Sequence, residues 1–371
     1  MKVTVTKFLN VRVGKPSVNA PNYQYLAPGS ILEIDGKIYE GDTYNDNNKW
    51  YRDEANNYYW SGGVLQEDKA ENSDNQLEIK INPNKLQWWH RDYGIDKIWN
   101  TYSLGSGVKI AVLDTGYDKK HPYSRKDIDG WNPIDKNSDF HDYNGHGTSV
   151  ISLINNQHKE ILGVAPESSV YSYKVEKRDP DIDAFIDALN RCAQSDVDII
   201  SISYRFSNKD KATIERMLKS IQLNSDKIIV CAVGNAPDNG TLAENYPAMF
   251  PSTLAIGSIN EQRAISKYSS RSKCIDITAP GDSLKLVDVY SQKLDSFKGT
   301  SYAAPYVSAV IALMISYVRK IKPQISIKTL DIKQILLDTA DHTNSMDSEL
   351  YGKGIINPLK AFQKLHQKIN S

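Results

Sequence analysis

Val108-Lys109-Ile110-Ala111-Val112-Leu113-Asp114-Thr115-Gly116 is an apolar run that ends on a carboxylate and a turn residue. Apolar side chains at nearly every position, rather than every second one, describe a strand over residues 108–113 that is buried on both faces. Outward from it the pattern alternates. Helix periodicity is expected over 148–154, 182–192 and 211–223, and strands over 170–175, 199–203 and 228–233. This order predicts an α/β domain over residues 83–371, with a mostly parallel sheet and helices on both faces. Such sheets place chemistry at the carboxyl ends of strands. Asp114 holds that position, and a carboxylate there is costly without a partner.

The composition is that of a globular protein: 371 residues, 40% hydrophobic and 24% charged. Lys plus Arg and Asp plus Glu are 45 each, so the net charge is zero. A chain without surplus charge is a poor nucleic-acid or anionic-membrane binder, and neither partner is expected. No run approaches the ~18 consecutive apolar residues of a membrane span. The three cysteines, Cys192, Cys231 and Cys274, are too sparse for a disulfide framework or a zinc site and read as small apolar residues. The start, Met1-Lys2-Val3-Thr4-Val5-Thr6-Lys7-Phe8, alternates like a strand and lacks the apolar core of a leader, so a cytoplasmic location is expected.

Residues 1–66 read as all-β. Val3 and Val5 alternate, as do Ile31 and Glu33. Turn signals recur at Pro28-Gly29, Asp35-Gly36, Asn47-Asn48, Asn56-Asn57 and Gly62-Gly63. Short strands between such turns suggest a small barrel. Leu9-Asn10-Val11-Arg12, Leu26-Ala27-Pro28-Gly29-Ser30, Lys49-Trp50-Tyr51 and Tyr59-Trp60-Ser61-Gly62-Gly63-Val64 resemble the bacterial SH3-like domain. That resemblance implies a peptide or protein ligand and a targeting or regulatory role. Its aromatics also suit the bland role of filling a small core. Residues 67–82 are polar and read as a linker.

Two further segments in the α/β part carry chemistry. In Asn144-Gly145-His146-Gly147-Thr148-Ser149 a His lies between glycines at a helix start. In Gly299-Thr300-Ser301-Tyr302-Ala303-Ala304-Pro305 a Ser opens a helix, with Pro305 expected in its first turn. A Ser hydroxyl is a poor nucleophile at neutral pH unless a base removes its proton. His146 can do that, and Asp114 can fix the His tautomer. Asn235, after the strand over 228–233, can donate to a developing oxyanion together with the Ser301 N–H. The other histidines, His90, His121, His141, His158, His342 and His366, lack flanking glycines and read as surface or hydrogen-bonding residues.

These segments, with Gly163-Val164-Ala165-Pro166, Ala279-Pro280-Gly281 and Tyr351-Gly352-Lys353-Gly354, resemble the subtilisin-like serine proteases in type and order. The resemblance implies an endopeptidase with Asp114, His146 and Ser301 as triad and Asn235 in the oxyanion hole. It implies substrate-binding walls at Ser203-Tyr204-Arg205 and Ala232-Val233-Gly234. The alternative is a latent or inactive, peptide-binding relative that needs a partner.

The sequence also departs from that family. The barrel stands where secreted relatives carry a prosegment. The structural calcium of the family loses a carboxylate, because His121-Pro122 is followed by Tyr123, so the site is expected to be absent or poor, with no cofactor or metal. Arg205 replaces a glycine on the substrate wall and can pair with an acidic side chain or point to solvent. Arg178-Asp179-Pro180-Asp181-Ile182-Asp183 is acidic and suits either basic substrate residues or a helix cap.

Overall fold

Val3 and Val5 are each 1% exposed, so the first strand of the chain turns one face inward. The computed structural model describes residues 2–5, 9–26, 30–44, 47–66, 82–177, 181–206, 210–236 and 245–370. The chain forms two units, residues 1–78 and 79–371. The expected linker at 67–82 lies outside the described residues except for Asn82.

The first unit contains β1 (Lys2–Val5), β2 (Leu9–Val13), β3 (Asn22–Leu26), β4 (Ile31–Glu33), β5 (Tyr39–Tyr44), β6 (Asn47–Arg52), β7 (Asn57–Trp60) and β8 (Val64–Gln66). They make two antiparallel sheets, ordered β4-β1-β8 and β3-β2-β7-β6-β5. Val3, Val5, Leu9, Val11, Leu32, Ile34, Tyr51 and Tyr59 fill the space between them. Asn56 turns at φ 63°, as its sequence suggests. Asn47-Asn48, expected as a turn, instead opens β6: Asn47 pairs with Tyr44, and its side chain meets Ser61. Ladder bonds outweigh the turn preference of Asn there. Trp50, Tyr51, Tyr58 and Tyr59 are buried, which is the core-filling role; Tyr44 is exposed and packs edge-on against Trp60.

The second unit is built on a seven-stranded sheet. Its strands are β9 (Lys109–Asp114), β10 (Asp129–Trp131), β13 (Ser169–Lys174), β14 (Ile199–Ile202), β15 (Ile228–Ala232), β16 (Leu254–Ile259) and β17 (Ile277–Pro280). A ribbon of β11 (Gln157–His158) and β12 (Ile161–Leu162) precedes β13, and a hairpin of β18 (Leu284–Asp288) and β19 (Lys293–Phe297) follows β17. The sheet order is β10-β13-β9-β14-β15-β16-β17, with every pairing parallel. Helices α1 (Trp88–Arg91) and α2 (Ile95–Thr101) precede β9. Helices α3 (His146–Asn155), α4 (Ile182–Gln194), α5 (Lys211–Asn224) and α6 (Thr300–Ile321) cover the sheet.

The unbroken apolar strands now have their physical reason. Ile110 and Val112 join one core with α3 and α6, whereas Ala111 and Leu113 join a second core with α4 and α5. The same parity divides Ile199 from Ile200 and Val230 from Cys231. Helix α6 is long and apolar enough to cross a membrane, but 94% of its apolar window is buried inside the unit, so it is a core helix. Cys192 and Cys231 are buried free thiols, and Cys274 is half-buried. Burial pushes the Cys192 thiol up to about 12, which keeps it an unreactive apolar group.

Candidate active site

Register brings the site together. Leu113 of β9 lies beside Ile202 of β14, which lies beside Cys231 of β15. The residues that follow each of them, Asp114, Ser203 and Ala232, therefore emerge along one carboxyl edge. The sheet order reverses around β9, so this edge holds the crevice expected at a topological switch point. A cleft of about 970 Å³ opens there, bordered by Thr115, His146, Ser203, Gly234, Asn235 and Ser301 among others.

Asp114 is buried at the end of β9. Its Oδ1 accepts from Thr115 N at 2.8 Å and from His146 Nδ1–H at 2.7 Å. His146 opens α3, and its side chain is 30% exposed toward the cleft. Burial works to lower the pKa of the ring. The charge and hydrogen bond of Asp114, helped by Asp142 and Glu176, outweigh it and leave the pKa raised. Gly147 permits this approach: a Cβ there would sit 2.3 Å from Gly116 O and 3.2 Å from Asp114 Oδ1.

Ser301 lies in the first turn of α6, half-buried at the cleft. Its N–H is one of the helix donors without an intrahelical partner. Pro305 is not in that first turn but lies inside the helix. A proline has no N–H to give the carbonyl four residues earlier, which is Ser301 O. The Ser203 hydroxyl takes the vacant place, donating to Ser301 O at 2.8 Å and tying β14 to the helix entrance. No hydrogen bond joins Ser301 Oγ to His146 among the described residues; both groups face the same cleft.

The Asn235 amide is held in one orientation. Its Oδ1 accepts from Thr300 N and from Thr300 Oγ1, each at 2.9 Å. The Nδ2 donors are therefore turned away from Thr300. Gly234 needs to be glycine: φ is 101°, and a Cβ would meet Asn245 Nδ2 at 2.5 Å. Asn245 in turn donates to Val233 O and Ser270 Oγ, which steadies this corner.

Ser203, Tyr204, Arg205, Ala232 and Gly234 border the cleft. Val233 does not; it follows the end of β15 and is wholly buried, its N–H donating to Ile256 O at 3.0 Å and its carbonyl accepting from Asn245 Nδ2 at 2.7 Å. The ring of Tyr204 stacks on Phe185 of α4 at 5.2 Å. Arg205 is exposed on the rim, and Glu176 and Asp210 face the same space. Residues 178–180 of the acidic loop lie outside the described residues. Asp181 caps α4, its Oδ1 accepting from Ala184 N at 2.9 Å. Sequence reasoning passed over Asp142, Glu176 and Asn245, which carry no local signal. Thr115 and Thr300 lie next to Asp114 and Ser301, and only the fold shows their roles: Thr115 Oγ1 accepts from Gly147 N, and Thr300 N donates to Asn235 Oδ1.

The residues around Tyr123 do not fit a calcium ion. The guanidinium of Arg125, with a side chain 13% exposed, occupies the carbonyls gathered there. Its Nη1 donates to Asn155 O at 3.1 Å and to Pro166 O at 2.8 Å, and Asp127 pairs with its Nε and Nη2. Asn156 turns its amide donor to Tyr123 O. Among the described residues there, Asn155 Oδ1 and Ser124 Oγ lack a partner, and two oxygens fall well short of the six to eight that a hard dication takes. The melting temperature is therefore expected to be equal in EDTA and in excess calcium. Arg125→Ala should lower stability by about 2–3 kcal/mol, since it leaves buried carbonyls unpaired. Thermal unfolding in the two buffers checks both, and a calcium-dependent gain of ten degrees in the wild type would refute the substitution of arginine for metal.

The subtilase family model matches residues 105–354. The major intracellular serine protease of Bacillus subtilis is 36% identical over 233 residues, 60% of this chain and 72% of that protein. The intracellular serine protease of Paenibacillus polymyxa is 34% identical over 228 residues, 58% of this chain and 69% of that one. Among solved structures, the MycP3 protease of the type VII (ESX-3) secretion system superposes with a TM-score of 0.64 at 24% identity. It covers 76% of this chain and 89% of its own, a likeness of fold. A parallel α/β sheet with an Asp–His pair and a helix-opening Ser on its carboxyl edge, matched over most of the second unit, means that this chain belongs to the subtilase family and is a serine endopeptidase.

Proposed function

We propose that Asp114, His146 and Ser301 are the catalytic triad, and that Asn235 Nδ2 and the Ser301 N–H form the oxyanion hole. The observation that carries this reading is the Asp114–His146 bond of 2.7 Å, facing a cleft shared with Ser301. The Nδ1–H to Asp114 leaves Nε2 as the free base. His146 Nε2 takes the proton of Ser301 Oγ as that oxygen bonds to the scissile carbonyl carbon. The carbonyl oxygen becomes an oxyanion and accepts from Asn235 and Ser301 N–H. The tetrahedral centre collapses, the C–N bond breaks, and His146 gives its proton to the leaving amine. Water then repeats the sequence to free the acid and regenerate Ser301.

Ser203, Tyr204, Arg205, Ala232 and Gly234 form the walls that align an extended protein or peptide substrate. The first unit is an SH3-like module that targets or regulates the enzyme through a peptide or protein ligand. The names of the two bacillar relatives support a cytoplasmic site of action. Neither nucleic acid nor membrane is a partner in this reading; the balanced charge supports that.

Fluorophosphonate labelling tests the site, since the probe needs an assembled base and oxyanion hole. Labelling of the wild type but not of Ser301→Ala is the expected outcome; labelling of both would remove Ser301 as nucleophile. A latent enzyme is the second reading, and the unclosed Ser301–His146 link is the observation on its side. Under that reading the wild type stays unlabelled until a partner is added or residues 1–66 are deleted.

A further inference from the structure

Asp142 is a second carboxylate beside the triad, and it is 2% exposed. It stands four residues before His146, in the loop that leads into α3. No salt bridge reaches it among the described residues. It is held by five donors instead. Oδ1 accepts from Thr115 Oγ1 at 2.9 Å, Asn144 N at 3.0 Å and Gly145 N at 2.8 Å. Oδ2 accepts from Thr148 N at 2.9 Å and Thr148 Oγ1 at 2.7 Å. Thr115 Oγ1 in turn accepts from Gly147 N at 2.8 Å. The donors come from the residue after Asp114 and from both sides of His146. A closed circuit therefore joins the end of β9 to the first turn of α3.

We propose that Asp142 is the positioning residue of the active site: it clamps the strand end that carries Asp114 to the helix start that carries His146, with Thr115 as the linking hydroxyl. The proposal rests on the reading of Asp114 and His146 as catalytic groups. Besides the Asp142 clamp, the two segments meet through the His146–Asp114 contact of 2.7 Å and through Asp118 N, which donates to Thr148 Oγ1 at 2.9 Å. Five donors converging on one buried carboxylate fix the separation on which that contact depends. A misplacement of about 1 Å in such a constellation costs on the order of 10²-fold in rate. The charge of Asp142 acts on the same ring, favouring the imidazolium that forms as His146 takes the Ser301 proton.

Other groups face this pair and set the background. Asp114 from β9 and Glu176 after β13 act on His146, and Tyr302 from α6 lies 5.7 Å from the ring. Lys174 of β13 is buried, donates to His141 O and lies 4.8 Å from the Tyr143 ring; Asp142 and Asp139 act on its ammonium.

The test uses the full chain and three variants, Asp142→Asn, Thr115→Val and Thr115→Ser. Asn keeps the shape but sets an NH2 against backbone and hydroxyl donors. Val removes the linking hydroxyl, and Ser retains it. The readouts are the second-order rate of fluorophosphonate labelling against pH and the NMR titration of the His146 ring. Asp142→Asn and Thr115→Val should label about 10²-fold more slowly, with Thr115→Ser near the wild type. The acid limb should move to lower pH in Asp142→Asn, because losing a nearby negative charge lowers the pKa of His146 and keeps it neutral further down. A thermal midpoint within a few degrees of the wild type separates this from general unfolding. Labelling of Asp142→Asn and Thr115→Val at the wild-type rate, with the acid limb unmoved, would overturn the proposal. If Asp142→Asn fails to fold, the Thr115 pair decides. If the wild type does not label, with residues 1–66 present or deleted, the triad reading has failed, and the NMR titration still judges the clamp. An unchanged His146 titration in Asp142→Asn refutes it, and a lowered one supports it.

Discussion

Ser301→Ala is expected to lower kcat for peptide hydrolysis by on the order of 10⁶-fold while leaving the fold intact, a magnitude measured for this triad in subtilisin itself. Only Ser301 Oγ can attack in the proposed step. Of the other cleft hydroxyls, Ser203 is engaged with Ser301 O, Thr300 with Asn235 and Thr115 with Asp142, while the phenol of Tyr204 is buried and its ring is stacked on Phe185. Removing one oxygen from a half-buried side chain at a helix start leaves the packing of α6 untouched, and alanine favours a helix. His146→Ala should fall by a similar factor, and the double variant should fall little further, because base and nucleophile act as a unit. Turnover of a fluorescently labelled casein, with thermal unfolding as control, checks this. Residual activity within tenfold of wild type in Ser301→Ala would move the nucleophile elsewhere.

Asn235 has the next largest expected effect, and it separates two jobs of one side chain. Its oxygen holds Thr300 N and Oγ1, and its nitrogen, which has no hydrogen bond among the described residues, is the proposed oxyanion donor. Asn235→Asp keeps the acceptor and replaces the donor by an oxygen that repels the developing charge. It should lose about 10²–10³-fold in kcat, or more, at nearly unchanged KM and melting temperature. Asn235→Ala should lose a similar factor and also about 1 kcal/mol of stability, since a first-turn N–H of α6 loses its cap. Steady-state kinetics of both variants test the division. A kcat within tenfold of wild type in both would exclude Asn235 from the transition state.

The α/β fold was legible because its signals are local and repeated. Strands buried on both faces read as unbroken apolar runs, and helices α4 and α5 show their own period; ends differed from expectation by one or two residues. The hairpin of β18 and β19 went unread, since its residues alternate weakly and are bounded by no strong turn pair. Pro305 was placed one turn too early: its fit to a helix start is a local preference, and the compensating Ser203 hydroxyl comes from another strand.

Asp114, His146, Asn235 and Ser301 could be named from sequence because each sits where a strand ends or a helix begins, marked by glycines and small residues. The family likeness follows from the same short segments. Tertiary structure alone decided what surrounds them. Val233 is buried while Gly234 borders the cleft, because the chain leaves β15 by bonds to Ile256 and Asn245, which lie elsewhere in sequence. Arg125 stands among carbonyls drawn from Asn155 and Pro166, far away in sequence. Asp142 carries no motif, yet it gathers donors from Thr115, Asn144, Gly145 and Thr148. Hydrogen bonds between distant segments depend on strand register and helix placement, so one sequence states which groups exist and the folded chain determines which of them meet.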